Sequence, residues 1–290
     1  MGKWNYSFDA IGTHWSIDVE QAGEPESRKI LEEKVQATIE AFDKKYSRFR
    51  GDSLVATMAS SSGKYILPPD AKALVDLYQK LYHLTDGLVT PLVGNLLSDA
   101  GYDKTYSLQK KQLQSPPVWE DALLYKFPDL FVKMPVTLDF GACGKGYLID
   151  QVADLLEHEG VTTYCVDAGG DMRQRGEEAL RIGLEHPEDL TQVLGVANLQ
   201  NKSLCGSAGN RRAWGEFHHI MNPKTRESVE EIKAVWVIAD TTLLADGLAT
   251  ALFFIPPEKL LEEFTFDYVV VKKDYTVQQS FTFPGEVFYT

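Results

Sequence analysis

The chain has 290 residues, 44% hydrophobic and 24% charged, with a formal net charge of −13. That composition is ordinary for a soluble globular protein, supplies a sizeable core for one large domain or two intimately packed ones, and argues against a general nucleic-acid surface, which needs clustered Lys and Arg. No apolar run reaches the length of a membrane span, and Met1-Gly2-Lys3-Trp4-Asn5 opens no signal-peptide core, so a cytoplasmic location is expected unless an export segment precedes this sequence.

Alternation predicts two strands, Trp4–Asp9 and His14–Val19, around Ile11-Gly12-Thr13. A long helix follows over Glu26–Tyr46, with Leu31, Val35, Ile39, Phe42 and Tyr46 at helical spacing. Residues 47–62 read as polar and irregular. A second helix spans Pro69–Thr85, with Pro69 suited to its first turn and Gly87 to its stop. The stretch Asp103–Lys133, with Ser115-Pro116-Pro117, reads as a long surface excursion. A β-type run, Val136–Phe140, then enters a glycine-rich turn and a helix that Gly160 ends. Later strands are expected at Val161–Val166, Leu180–Leu184, Val193–Leu199, Ser203–Cys205, Val235–Ala239, Tyr268–Lys272 and Gln278–Phe283, with helices at Thr242–Phe254 and Glu258–Phe264. Strands and helices intersperse without a regular βαβα series, so the fold class is α+β, with mixed sheets and packed helices. Cys143, Cys165 and Cys205 have no metal-binding spacing and read as small buried hydrophobes in a reducing compartment.

The most telling stretch is Leu138-Asp139-Phe140-Gly141-Ala142-Cys143-Gly144-Lys145-Gly146-Tyr147. A strand–turn–helix of this kind presents free backbone N–H groups beside a cation, which suits a phosphate or another anion. A plain tight turn with an exposed lysine fits equally. Neither a P-loop nor a dinucleotide fingerprint matches the glycine spacing. In an acidic protein a bound polyphosphate calls for a divalent cation.

Asp246 and Thr250 share one face of the apolar Thr242–Phe254 helix. A carboxylate among leucines must be paired or bound to metal, and two oxygens on one face suit a hard cation. A structural Asp bonded to backbone is the competing reading. His218-His219 is the one paired histidine and offers a general base, or two ordinary strand-end histidines. Arg211 and Arg212 precede it, either facing phosphate or merely solvated. Gly169-Gly170-Asp171 permits close approach to a ligand, or a plain turn.

Taken together and in order, these motifs resemble the ApbE family of FAD:protein FMN transferases over nearly the whole chain. The carrying residues are Ile11-Gly12-Thr13-His14-Trp15, Ser47-Arg48-Phe49-Arg50-Gly51-Asp52-Ser53, Gly87-Leu88-Val89-Thr90-Pro91-Leu92-Val93-Gly94-Asn95-Leu96, Asp139 to Tyr147, Gly169-Gly170-Asp171, His219-Ile220-Met221-Asn222-Pro223 and Ala245-Asp246-Gly247-Leu248-Ala249-Thr250. The resemblance implies a T-fold-related architecture in one catalytic unit, or in two intimately packed subdomains. It implies FAD as substrate, Mg2+ or Mn2+ as cation, and transfer of FMN through a phosphoester to a Ser or Thr of an Asp-x-x-(Ser/Thr)-Gly-Ala-(Ser/Thr)-like acceptor motif, releasing AMP. On that basis Asp246, Thr250 and the Ala142 carbonyl hold the cation. Asp139 and Lys145 contact FAD, with Lys145 adding charge stabilisation. Ile11, Phe49, Leu88, Val89 and Thr90 line the flavin and adenine pocket, Gly169 and Gly170 admit the ligand, and Ile220 contributes a backbone contact. His219 is the base on the acceptor hydroxyl.

The sequence departs from the family pattern at four places. Thr90 stands for the usual Asp, Asn222 for an Asp, Arg226 for a Gly, and Gly206-Ser207-Ala208-Gly209-Asn210 for Thr-Ser-Gly-Asp-Tyr. These bear on acceptor recognition and motivate two alternatives: a cation-dependent FAD pyrophosphatase giving FMN and AMP, and a non-catalytic FAD-binding protein.

Overall fold

The computed structural model describes residues 2–20 and 23–288. Its organising strand is Ile232–Ala239, in which six consecutive residues from Ala234 are buried. Because a strand's side chains alternate between faces, Val235, Val237 and Ala239 join one apolar cluster while Ala234, Trp236 and Ile238 join another. Asp267–Lys272 behaves the same way, with Tyr268 and Val270 on one side and Val269 and Val271 on the other. Strands buried on both faces need a layer on each side.

These strands sit in an eight-stranded sheet ordered Trp4–Ala10, Thr13–Val19, Tyr164–Ala168, Asp171–Arg175, Ser203–Ala208, Ile232–Ala239, Asp267–Lys272, Val277–Gln279. All its neighbouring pairs are antiparallel. Helices Gly144–His158 and Thr242–Ala251 pack directly on one face, and Pro25–Tyr46 and Ala71–Leu84 pack onto those helices. The long helix presents Val35, Ile39, Phe42 and Tyr46 inward, one stripe at a 3.6-residue period. The opposite face is covered by a three-stranded sheet of Leu180–Glu185, Val193–Leu199 and Gly285–Val287, whose Leu184, Ala197, Leu199 and Val287 pack on Leu204, Trp236 and Val271. The α+β class expected from the sequence is therefore found.

Several expected elements differ. Val136–Phe140 belongs to no strand ladder. Its alternation is real, since Val136, Leu138 and Phe140 are buried, but its backbone bonds run singly to Met58 and Pro91. The excursion at 103–133 is structured in its second half: Leu123–Lys126 and Asp129–Val132 form a hairpin that pairs with Gly63–Ile66. Leu123, Leu130 and Val132 anchor that small sheet to the core. Residues 47–62 contain a helix, Leu54–Met58, which Ser53 caps by accepting the Ala56 N–H. Gly94–Asp99 and Asp171–Arg175 are a further helix and strand with no counterpart in the sequence reading. The last expected strand, Gln278–Phe283, stops at Gln279, and the chain pairs again only at Gly285–Val287.

Two helices set the position of everything that follows. Asp150, on Gly144–His158, accepts the N–H groups of Thr242 (2.9 Å) and Leu243 (2.7 Å) at the start of the other helix. Asp246 accepts the N–H of Gly146 (2.8 Å) in return. The helices meet at Gly146, where a Cβ would overlap the Thr242 carbonyl and lie 2.7 Å from Asp246 Cβ. Gly146→Ala is expected to destabilise the protein by about 1–3 kcal/mol in urea unfolding, as overpacking does. Gly144→Ala, whose Cβ would meet ordinary contacts at 3.4 Å and 3.6 Å, is expected to be near neutral. Equal stability of the two variants would show that the helices are not locked at Gly146.

Candidate active site

Above this helix pair lies a cavity of about 780 Å³, walled by segments from Ile11 to Phe254. That volume suits a cofactor-sized ligand. Thirteen of the fourteen residues to which the resemblance gives a site role are on its wall: Ile11, Phe49, Leu88, Val89, Thr90, Asp139, Ala142, Lys145, Gly169, His219, Ile220, Asp246 and Thr250. Gly170 is not; its N–H binds Asp167 (2.8 Å), so it shapes the turn. Gly169 does make a close approach, because any side chain there would overlap the Thr13 hydroxyl. That contact holds the first hairpin over the cavity, with Ile11 (φ 45°) and Gly12 (φ 75°) at its tip, the two positive φ values of a type I′ turn.

The glycine-rich turn corrects one expectation. Its N–H groups are not free: Gly141 donates to Asp139 (2.7 Å), Ala142 to the Tyr78 hydroxyl (3.0 Å), Cys143 and Gly144 to the Phe140 carbonyl, and Gly146 to Asp246. Among those five groups none is open to an anion, so positive charge must come from side chains. Lys145 supplies some. Its ammonium binds Asp171 and lies 3.3 Å from the Ala168 carbonyl. Burial lowers its pKa, but Asp171 and Asp246 outweigh that and hold it charged. Arg212, on the same wall, reaches the Tyr102 hydroxyl (3.4 Å).

Asp171, Cys205 and Asp246 are buried together, with one potential ligand atom each within 4.8 Å of the others. Lys145 answers the charge of the carboxylates, while burial and the two carboxylates push the Cys205 pKa up, which keeps it the small, buried, neutral group expected from the sequence. Asp246 is the carboxyl least at ease. Burial and the nearby Asp171 push its pKa up to about 8, against the pull of Lys145 and the Gly146 N–H. One turn on, the Thr250 hydroxyl lies 3.4 Å from the Ala142 carbonyl. A carboxylate, a hydroxyl and a carbonyl facing one cavity form the all-oxygen donor set of a hard divalent cation.

The two histidines separate cleanly. His218 is structural: its Nε2 is 3.0 Å from the Val229 carbonyl and its Nδ1 accepts the Ile220 N–H (3.2 Å). His219 is on the cavity wall, and its Nδ1 is buried without a hydrogen-bond partner. Burial, Arg212 and His218 push its pKa down to about 3, which leaves a neutral but weakly basic imidazole. The backbone contact expected of Ile220 is constrained, since its N–H serves His218 and its carbonyl already accepts from Val229 (3.1 Å).

The other end of the cavity is aromatic. Phe49 and Tyr106 stack at 5.4 Å and 4°, and Tyr102 packs edge-on to Phe49. Tyr102 and Tyr106 went unnoticed in the sequence because one lies just before, and the other within, what reads there as a surface excursion. Thr90 caps the Pro91–Val93 turn by accepting the Leu92 N–H (3.2 Å).

The family model described as the ApbE family matches residues 11–268. The chain belongs to that family. Similar curated proteins include the FAD:protein FMN transferase of Escherichia coli (strain K12), 27% identical over 287 residues, covering 87% of this chain and 78% of the relative. That of Klebsiella pneumoniae (strain 342) is 28% identical over 298 residues, covering 91% and 83%. Among solved structures, the flavin transferase ApbE from Vibrio cholerae matches with a TM-score of 0.79 at 20% identity, covering 96% of both chains. The ApbE protein from Thermotoga maritima matches with a TM-score of 0.82 at 22% identity, covering 98% of this chain and 100% of that one. At these identities the structures establish that the ApbE fold is shared.

Asp246 gives this site a measurable signature. In an unfolded chain an aspartate ionises near pH 4; in the folded protein Asp246 holds its proton to about pH 8. A raised acid pKa means that native stability is lost as pH rises between those values. Asp246→Asn keeps an oxygen for the Gly146 N–H and removes the ionisation. In chelator-treated protein it should melt above wild type, with a margin that widens from pH 5 to pH 8. A flat or negative margin would show that the surroundings stabilise the carboxylate.

Proposed function

We propose that this protein is a metal-dependent flavin transferase that moves FMN from FAD to a Ser or Thr hydroxyl of a partner protein through a phosphoester bond, releasing AMP. The observation that carries this reading is the convergence of Asp246, Thr250, the Ala142 carbonyl, Lys145 and His219 on one cavity with an aromatic end. Family membership gives the reaction class, and the similar curated proteins are named FAD:protein FMN transferase.

In this reading the aromatic end and the apolar strip of Ile11, Leu88, Val89 and Ile220 take the rings of FAD, and the diphosphate lies toward Lys145 and Arg212. Asp246, Thr250 and the Ala142 carbonyl hold Mg2+ or Mn2+, which neutralises diphosphate charge and polarises the bridge. His219 takes the proton of the acceptor hydroxyl. The hydroxyl oxygen bonds to the flavin-side phosphorus, the P–O bond of the bridge breaks, and AMP departs. Asp139 braces the lysine turn rather than reaching far into the cavity, since one oxygen binds Arg48 and the other Gly141. Walls drawn from both ends of the chain support a single catalytic unit. None of the described helices is long and apolar enough to cross a membrane; a cytoplasmic location accords with the three free cysteines.

One observation favours hydrolysis as a second reading. In the altered Gly206–Asn210 segment, the Asn210 amide is bound to the Pro187 carbonyl and Asn210 is off the cavity wall. Gly206, Ser207 and Ala208 of that segment do line the cavity, and their small side chains leave room for water as acceptor. The deciding experiment incubates the protein with FAD, Mg2+ and an acceptor carrying the Asp-x-x-(Ser/Thr)-Gly-Ala-(Ser/Thr)-like motif, then weighs the acceptor. Transfer predicts acceptor heavier by one FMN and stoichiometric AMP; free FMN and AMP with unmodified acceptor would establish hydrolysis. His219→Ala should slow transfer by roughly 10²–10⁴-fold while FAD still binds. Asp246→Ala or chelation should abolish turnover, and activity surviving both would remove the metal assignment.

A further inference from the structure

We propose that Arg48 is a positioning residue that sets the ligand-binding wall of the cavity, a role that rests on the reading of the cavity as an FAD site. Arg48 sits between two residues already tied to the family pattern, Ser47 and Phe49, and follows directly on the long helix Pro25–Tyr46. It is only 4% exposed. A buried guanidinium is tolerated when its donors are met, and each of its three nitrogens has a partner. Nε donates to Asp139, Nη1 to the Ser98 hydroxyl (3.3 Å) and Nη2 to the Tyr102 carbonyl (2.8 Å). Its central carbon lies 4.2 Å from the Phe49 ring centroid and 5.0 Å from that of Tyr102.

One side chain therefore joins three pieces of chain that are distant in sequence: the segment after the first helix, the Ser98–Tyr102 stretch that ends the Gly94–Asp99 helix, and the lysine turn through Asp139. Two of those pieces carry the aromatic end of the cavity. The last begins the turn that carries Ala142 and Lys145, because the second Asp139 oxygen accepts the Gly141 N–H and the Asp139 N–H itself binds the Pro91 carbonyl (2.7 Å). A well-packed apolar group can often replace a buried ion pair at no loss of stability. What the ion pair supplies here is direction. The planar fork aims three bonds at fixed angles while its face packs on aromatic rings, which a lysine ammonium cannot do. Arg48 also lines the cavity itself, so a shift of this group moves the surface on which the ligand rests.

The test uses Arg48→Lys, which keeps the charge, and the double variant Arg48→Met/Asp139→Asn, which removes both charges and leaves neither partner stranded. Melting temperature, FAD affinity by fluorescence titration, and KM and kcat for AMP release are measured beside wild type. The expected result is a KM for FAD raised about tenfold in both variants, with kcat changed less than about threefold and melting close to wild type; a rise in KM at constant kcat marks lost binding rather than lost chemistry. Unchanged KM and affinity in either variant would overturn the proposal. So would a fall in kcat at constant KM, or a collapse of melting together with binding, since both are what a merely structural arginine gives. Wild-type protein that neither binds FAD nor releases AMP would instead sink the functional reading on which this role depends.

Discussion

The structure depends on the reciprocal lock between the Gly144–His158 and Thr242–Ala251 helices. Asp150 takes the first two N–H groups of one helix, and Asp246 takes the Gly146 N–H of the other. These three bonds are charge-assisted when the carboxylates are ionised, and Arg173 pairs with Asp150 from the strand beneath (2.8 Å). Gly146 is what lets the pair close to this distance. The lock brings the lysine turn and the Asp246–Thr250 face to the same wall, although a hundred residues separate them in the chain. Neither half of the candidate cation seat exists without the other.

Close packing of carboxylates in an acidic protein creates a problem that the site solves unevenly. Asp150 has Arg173 and two backbone donors. Asp171 has Lys145 and the Gly206 N–H (3.0 Å). Asp139 has Arg48 and the Gly141 N–H. Asp246 has one backbone donor and a share of the Lys145 field, and burial beside Asp171 drives it strongly toward its neutral form. Perturbed carboxyls gather where chemistry is done, and here the perturbation falls on the helix face that also carries Thr250. The packing that makes the site thus leaves one group unsatisfied at a particular place.

The main layers were legible in the sequence because their signals are long or doubly apolar. Val235–Ala239 could be read as a buried strand, and the stripe from Leu31 to Tyr46 as a helix. The small sheet was not legible: Gly63–Ile66, Leu123–Lys126 and Asp129–Val132 have four residues each, too few for alternation to rise above noise. Val136–Phe140 failed in the opposite way, since its pattern follows burial and burial does not require a ladder partner. Within the site, motif order singled out residues that line one cavity, because those positions are defined by type. Arg48 was passed over as a spacer between Ser47 and Phe49. Its partners come from two other parts of the chain, around Ser98–Tyr102 and at Asp139, and no local pattern announces them. The same reasoning explains the lysine turn. The glycines suggest that backbone approaches something closely, and only the fold reveals that Gly141 meets Asp139 and that Gly146 meets Thr242 and Asp246.

Asp246 and His219 are displaced in opposite directions, and both displacements bear on the proposed reaction. Asp246 resists ionisation because it is buried near Asp171. His219 resists protonation because it is buried near Arg212. Left alone, the first is a poor ligand near neutral pH and the second a weak base. A divalent cation at Asp246 favours its carboxylate, and a diphosphate facing Arg212 and Lys145 offsets the positive field that weakens His219. In the proposed reaction each group would therefore be brought toward its working state by the half of the substrate complex that it serves. Cation and nucleotide would then be coupled: the cation would make diphosphate binding less costly in an acidic cavity, and the diphosphate would raise the basicity that the acceptor hydroxyl needs.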